Sequence, residues 1–300
     1  MPRALLLTLL VAVSLGAAGC SMKKMGVGRM ADALSATATA FSHDDDPEFV
    51  RIGAPSTLKM VEMLLDDQPS HPGLLLTACR GFTQYAYAFL QVEYEMALPQ
   101  TSAGAREYRS RGVAMYGRAR GYCFRALEVR HPGIRDRLLR DPKIAVASLT
   151  GDDVPALYWA AAAWGGSLTL SDSQLVRIGE LAAVRAMMSK ALQLDETWEG
   201  GAIHEAMIAL EGLPVLLGGS PARARAHFER AVAISEGQSV FPYVTLATSV
   251  AQPAGDRAEF ERLLRAALAV DVTRRPPLRL ANLIAQKRAR TLLARIDKLF

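Results

Sequence analysis

The sequence predicts an all-α fold, a solenoid of stacked helical hairpins, and three observations carry that expectation. The clearest is residues 218–235, GGSPARARAHFERAVAIS. Gly218 and Gly219 make a turn, Ser220 is a helix cap, and Pro221 stands at the first helical position, where its missing N–H costs nothing. Within the helix Ala224, Phe228, Ala231 and Val232 fall at i, i+4, i+7 and i+8, one stripe of a 3.6-residue period, while Arg223, His227 and Arg230 line another face. Small residues in such a stripe let a neighbouring helix come close while the aromatic fills the space beside it. Second, the stripe recurs as Ala119, Cys123, Ala126 and Leu127, as Val184, Met188, Ala191 and Leu192, and as Phe260, Leu264, Ala267 and Leu268. Third, each copy continues with an apolar residue two positions on, Val129, Leu194, Ile234 and Val270.

The matching alanines Ala126, Ala191, Ala231 and Ala267 are 65, 40 and 36 residues apart. Two of these spacings lie near the tetratricopeptide period of about 34, and the first is close to two such periods. The expected architecture is therefore a divergent tetratricopeptide-like helical-hairpin solenoid with unequal loops. Each pair exposes an apolar face that only the next pair can cover, and the concave side binds. A plain helical bundle is the competing arrangement.

Of the 300 residues half are apolar and 22% are charged, so the chain can bury a large core. Residues 1–19 are different. Arg3 is the one early charge, residues 5–18 are apolar, and Ala17, Ala18 and Gly19 lead into Cys20. The run is short for a spanning helix of about 20 residues and suits a secretory signal. A cysteine directly after small residues is the pattern of a bacterial lipoprotein signal, so Cys20 is the expected lipidation site. Ala17 stands where such signals usually carry Leu, and ordinary secretory cleavage after Gly19 is the alternative. Loss of Arg3 with the signal would lower the formal net charge of +5 by one. In an exported protein a mild basic surplus points to solubility, anionic headgroups or an acidic partner, and not to nucleic acid. No later run is long and apolar enough to cross a membrane, so contact with the membrane is expected through the lipid alone. The expected division is a signal peptide over 1–19, a tether and N-terminal helix over 20–46, and a single helical domain over 47–300.

Within the body, Asp46 before Pro47 and Glu48 reads as a helix start, and His43 with Asp44 to Asp46 as capping more than as a cation site. Residues 49–65 follow as a helix interrupted near Gly53 and Pro55. Residues 71–97 and 102–129 make an αα-hairpin rich in aromatics, Phe82, Tyr85, Tyr87, Phe89 and Tyr94 facing Tyr108, Tyr116, Tyr122 and Phe124. Most of these rings are expected in the core, with a ligand groove as the sharper reading. Cys79 and Cys123 lie on either side of the turn, so their thiols reach the same height; a disulfide and two small buried hydrophobes both remain open. After short segments through residue 151 comes ALYWAAAAWGG, whose four alanines permit close helix contact and whose Gly165 and Gly166 are expected to stop the helix. Ser171 with Gln174 reads as a capping box for a helix to residue 194. Helices follow over 198–213 and 220–235. Residues 240–250 have strand-like composition but are read as helix in this context. Asp256 with Glu259 opens a helix to residue 270, and residues 277–300 form a last basic helix. Its Leu280, Leu283, Ile284, Leu292, Leu293 and Ile296 form an inward stripe that caps the final repeat, and Arg274, Arg275, Arg279, Lys287, Arg288, Arg290, Arg295 and Lys298 belong to a solvated face or meet lipid or an acidic partner.

The five histidines are scattered. HEAMI at 204–208 has no second His at the fourth position, so the zinc-protease motif fails, and no phosphate loop, GxSxG or paired-cysteine metal site is present. The expectation is a protein that is not an enzyme, without catalytic residues, cofactor or metal.

PSHPGLLLTACRGFTQYAYAFLQVEYE at 69–95, MYGRARGYCFRALE at 115–128, ALYWAAAAWG at 156–165 and LLGGSPARARAHFERAVAIS at 216–235, together with Cys20, resemble the TatT family, periplasmic lipoprotein T components associated with TRAP transporters. The resemblance spans nearly all of the chain after the signal. It implies a helical tetratricopeptide-like protein, tethered on the periplasmic side of a membrane, with the outer membrane as the favoured one. It implies a partner in the transporter's substrate-binding P protein, assembly as a homotrimer, and a hydrophobic cleft or pore that passes an apolar small molecule. Tyr158, Trp159 and Trp164 match the YW…AWG piece and are the candidate ligand- or partner-binding residues. A generic tetratricopeptide-like lipoprotein scaffold for envelope assembly is the alternative function.

Overall fold

The computed structural model describes residues 33, 40–97, 101–171 and 173–300. Cys20, the expected signal peptide and most of the expected tether lie outside them. The described residues are helical throughout with no strand. Helix α1, Pro47–Asp67, is capped by Asp46, whose carboxylate accepts from Glu48 N and Phe49 N at 2.9 and 3.1 Å. It runs through Pro55 without the expected interruption. The carbonyl that Pro55 leaves unpaired is that of Arg51, and both residues are exposed, so water replaces the missing donor.

Helix α2, Pro72–Ala86, passes through a π turn, Tyr87–Gln91, into α3, Val92–Met96. Its mate α4, Ala103–Arg130, is capped by Ser102, which accepts from Ala105 N at 3.2 Å. Cys79 and Cys123 are joined by a disulfide between α2 and α4, 44 residues apart in sequence. A cross-link over a loop of that length contributes about 3–4 kcal/mol, chiefly by restricting the unfolded chain.

Two short helices, α5 Ile134–Arg140 and α6 Pro142–Ala147, lead to α7, Val154–Leu170. Gly165 and Gly166 do not stop α7. Their role is tertiary: a Cβ on Gly166 would stand 2.3 Å from Tyr116 Cζ, so glycine there admits the α4 ring against the α7 backbone. The next helix is α8, Gln174–Leu194, and just before it Ser171 Oγ accepts from Ser173 N at 3.2 Å. Then come α9 Trp198–Glu211, α10 Pro221–Ile234, α11 Phe241–Leu246 with a π turn over Ala247–Ala251, α12 Arg257–Ala269, α13 Arg279–Leu293 and α14 Ile296–Leu299. Ser220 and Asp256 both act as caps.

Long helices that follow one another, with only short elements between, pack together: α2 on α4, α4 on α7, α7 on α8, α9 on α10, and α12 on α13. The first and third positions of all four aligned stripes are buried, Ala119 with Ala126, Val184 with Ala191, Ala224 with Ala231, and Phe260 with Ala267. One large core spans α1 to α9, and a second spans α9 to α14.

The last long helix does more than cover the last hairpin. Helix α13 returns to the first described helices, where Ile284 packs with Val50, Ala54 and Phe89, and Leu280 and Phe41 pack against the same cluster. Three of its basic residues bridge the seam: Arg288 and Arg295 are drawn off the solvated face expected for them, while Lys287 stays exposed. Lys287 pairs with Glu93 at 2.7 Å, Arg288 with Glu95 at 2.7 Å, and the Arg295 guanidinium donates to the Met96 carbonyl. The first and last of the described helices meet along this seam.

Candidate functional site

The interior is built where α2, α7, α9, α11 and α13 turn inward. Tyr87, Tyr158, Glu205 and Arg288 are surrounded by protein, yet each keeps accessible surface and none is sealed in the core. Groups set this deep that still keep accessible surface border open space and not only packed core.

Tyr87 opens the π turn, and its ring lies 5.5 Å from that of Phe241, tilted by 41°. A π turn inserts one extra residue and so re-aims the side chains that follow, which is why such turns recur at functional positions. Arg288 donates to the Tyr87 hydroxyl at 3.3 Å while pairing with Glu95. Glu95 also accepts from Gln91 at 2.8 Å, and Gln91 in turn accepts from the Tyr116 hydroxyl at 2.6 Å. This relay ties the seam to the core beneath Gly166.

Opposite it, Tyr158 packs 4.9 Å from Trp159 and 4.6 Å from Trp198. The guanidinium of Arg80 lies 5.5 Å from the centre of the Trp159 ring and pairs with Glu199 at 3.2 Å. Glu199, Gly200 and Gly201 are all left-handed, with φ of 44°, 72° and 95°. Two glycines make that turn accessible, and the turn swings Glu199 toward Arg80.

Glu205 stands on α9 one helical turn from Gly201. Burial pushes its carboxyl up to about 7, only partly offset by the Ser239 hydroxyl that donates to Oε1. Among the described residues no arginine or lysine acts on it, and no donor reaches its other oxygen. Ser239 is fixed by α13: Asn282 accepts from Val240 N at 2.9 Å and donates to the Gln238 carbonyl at 2.8 Å. Burial also raises the Tyr158 and Tyr87 hydroxyls, with the nearby Glu205 charge adding to the rise in both.

Of the residues that the sequence nominates, Tyr158 faces this interior and Trp159 is buried beside it. Trp164 is on another face of α7, 2% exposed, edge-on to Phe124 at 5.3 Å and donating to Glu180. Glu205, Ser239, Trp198, Phe241 and Arg288 complete the site, and sequence reasoning misses them. The one local signal among them is HEAMI, which is informative about zinc and silent about an enclosed carboxyl. A separate surface cleft of about 510 Å³ between α4, α7 and α8 is lined by Arg106, Arg109, Arg120 and Glu180. Its charges are engaged locally, Arg120 with Glu180 at 3.0 Å and Arg109 with the Leu170 carbonyl at 2.7 Å. Among the described residues no helix is long and apolar enough to cross a membrane, and no group of three or more His, Cys, Asp or Glu could hold a metal ion.

A family model described as TRAP transporter T-component matches residues 43–300. The chain is also similar to an uncharacterized protein of Treponema pallidum (strain Nichols), 25% identical over 302 residues, covering 94% of each chain.

Proposed function

Because this chain belongs to the TRAP transporter T-component family, we propose that it is the binding subunit that such a transporter keeps tethered outside the cytoplasm. Cys20 carries the lipid and holds the helical body on the periplasmic side of a membrane, in our reading the outer membrane. The body docks the transporter's substrate-binding P protein and acts without catalysis. Its interior holds or passes an apolar small molecule, and the protein works as a homotrimer.

The observation that supports ligand holding is the set of partly accessible rings Tyr87 with Phe241 and Tyr158 with Trp198 beside the deep-set Glu205 and Arg288. Aromatic rings with a few placed polar groups are the usual lining of small-molecule sites. Affinity capture of the tagged, full-length protein from envelope extracts tests the partner. Recovery of a periplasmic solute-binding protein is the expected result, and recovery of envelope assembly factors in its place removes the reading. Cys20→Ser should release the protein from the membrane fraction; retention there would count against the anchor.

A further inference from the structure

Among the described residues, two arginines beside this interior have a carboxylate partner while Glu205 has no cation. Arg80 is matched by Glu199 at 3.2 Å and Arg288 by Glu95 at 2.7 Å. Glu205 has Ser239 on Oε1 and nothing on Oε2, and the rings of Tyr158 and Tyr87 stand within reach of its charge. An acid without a cation, in a space that a molecule can reach, is a request for a positive charge. A carboxylate ligand would meet repulsion there, since Arg288 is already taken. A neutral hydroxyl would satisfy the hydrogen bond and leave the charge unanswered.

We infer that the interior takes an apolar chain ending in a protonated amine, whose ammonium hydrogen-bonds to Glu205 Oε2 beside the Tyr158 and Tyr87 rings. This rests on the apolar-ligand reading above and names the chemistry of the ligand's polar end. Proton balance follows from the empty state: the unpaired Glu205 holds its proton up to about pH 7. The ligand arrives as an ammonium, Glu205 releases its proton to solvent, and an ion pair forms with no covalent change.

Calorimetric titration of the purified full chain with decylamine, decanol and decanoate, each below its aggregation threshold, tests the inference. At pH 7.5 decylamine should bind at least about tenfold tighter than decanol, an ion pair being worth one decade or more in an enclosed site. Its affinity should fall about tenfold per pH unit below pH 7, because Glu205 must then be deprotonated first, while that of decanol stays flat. In Glu205→Gln the amine and the alcohol should bind alike at every pH. An amine advantage that survives Glu205→Gln, or decanoate as the tightest of the three, overturns the inference. Equal binding of all three by the wild type overturns it too and leaves the apolar-ligand reading standing, whereas no binding by any of them sinks that reading as well. Should Glu205→Gln fail to fold, Ser239→Ala serves: loss of its donated hydrogen bond should move the pH midpoint of decylamine binding upward, and an unmoved midpoint counts against Glu205 as the group responsible.

Discussion

Glu205 and the pair His204 and His227 are neighbours whose titrations pull stability in opposite directions. The two imidazoles meet Nδ1 to Nδ1 at 2.9 Å, and Glu196 accepts from His204 Nε2 at 3.3 Å. That carboxylate fixes the proton on His204 Nε2, so His204 Nδ1 is the acceptor and His227 Nδ1–H the donor. Burial holds both imidazoles below their ordinary value of 6.5. A lowered folded value means the unfolded chain takes protons first, so their contribution is full above pH 6.5 and is lost as pH falls below it. Glu205 is raised from 4.5 to about 7, so the folded chain keeps its proton longer. Its contribution is full below pH 4.5 and is lost as pH rises to about 7. Glu205→Gln should therefore stabilise the protein at pH 7.5 relative to pH 5 by on the order of 2 kcal/mol, a tenfold change in proton affinity being worth about 1.4 kcal/mol. Urea unfolding midpoints at the two pH values read this directly, and an equal change at both would refute the assignment. In the sequence His227 is one polar-face residue among several. Its partner is 23 residues away on another helix, beyond anything a 3.6-residue period encodes.

Among the helices, caps and stripes are legible in the sequence because they are local. Asp46, Ser102, Ser220 and Asp256 each accept from a backbone N–H two or three residues ahead. The end of α7 is not legible, since Gly165 and Gly166 look like a terminator when only neighbours in sequence are considered. The Tyr116 ring makes Gly166 necessary, and that ring is 2% exposed with its hydroxyl held by Gln91, so it cannot swing aside. Gly166→Ala gains about 1 kcal/mol of helix propensity but forces an overpacking cost of about 1–3 kcal/mol. The net expectation is a lower melting temperature, whereas Gly165→Ala, whose Cβ would sit 3.6 Å from Val184, should be neutral or stabilising. A rise in melting temperature for Gly166→Ala would show that the ring yields. The interruption expected at Pro55 is the converse case. A helix tolerates proline where the carbonyl it orphans faces water, and exposure is decided by packing.

Closure is the decisive feature of the molecule taken together. Helix α13 joins residues 194 and 201 positions away through Lys287 to Glu93 and Arg288 to Tyr87. Breaking one partner of a partly buried pair leaves the other charge stranded, so Arg288→Met should cost about 2–4 kcal/mol. Adding Glu95→Gln should recover much of that loss. In Arg288→Met, amide hydrogen exchange should rise together in residues 92–96 and 279–293, because one seam holds both. Exchange rising in α13 alone would mean that the seam is not what holds α3.

That this chain is helical, where most of its helices begin, and which positions of four of them face a neighbour all follow from the order of its residues. Those properties depend on contacts within about one turn, where periodicity and capping act. Three others come only with the packed fold: the first and last of the described helices meet, Arg288 seals a seam instead of facing water, and Glu205 is set deep without a cation. Each of these joins residues from separate helices, and the balance between paired and unpaired charge there is a sum over the whole surrounding surface, which no local stretch contains.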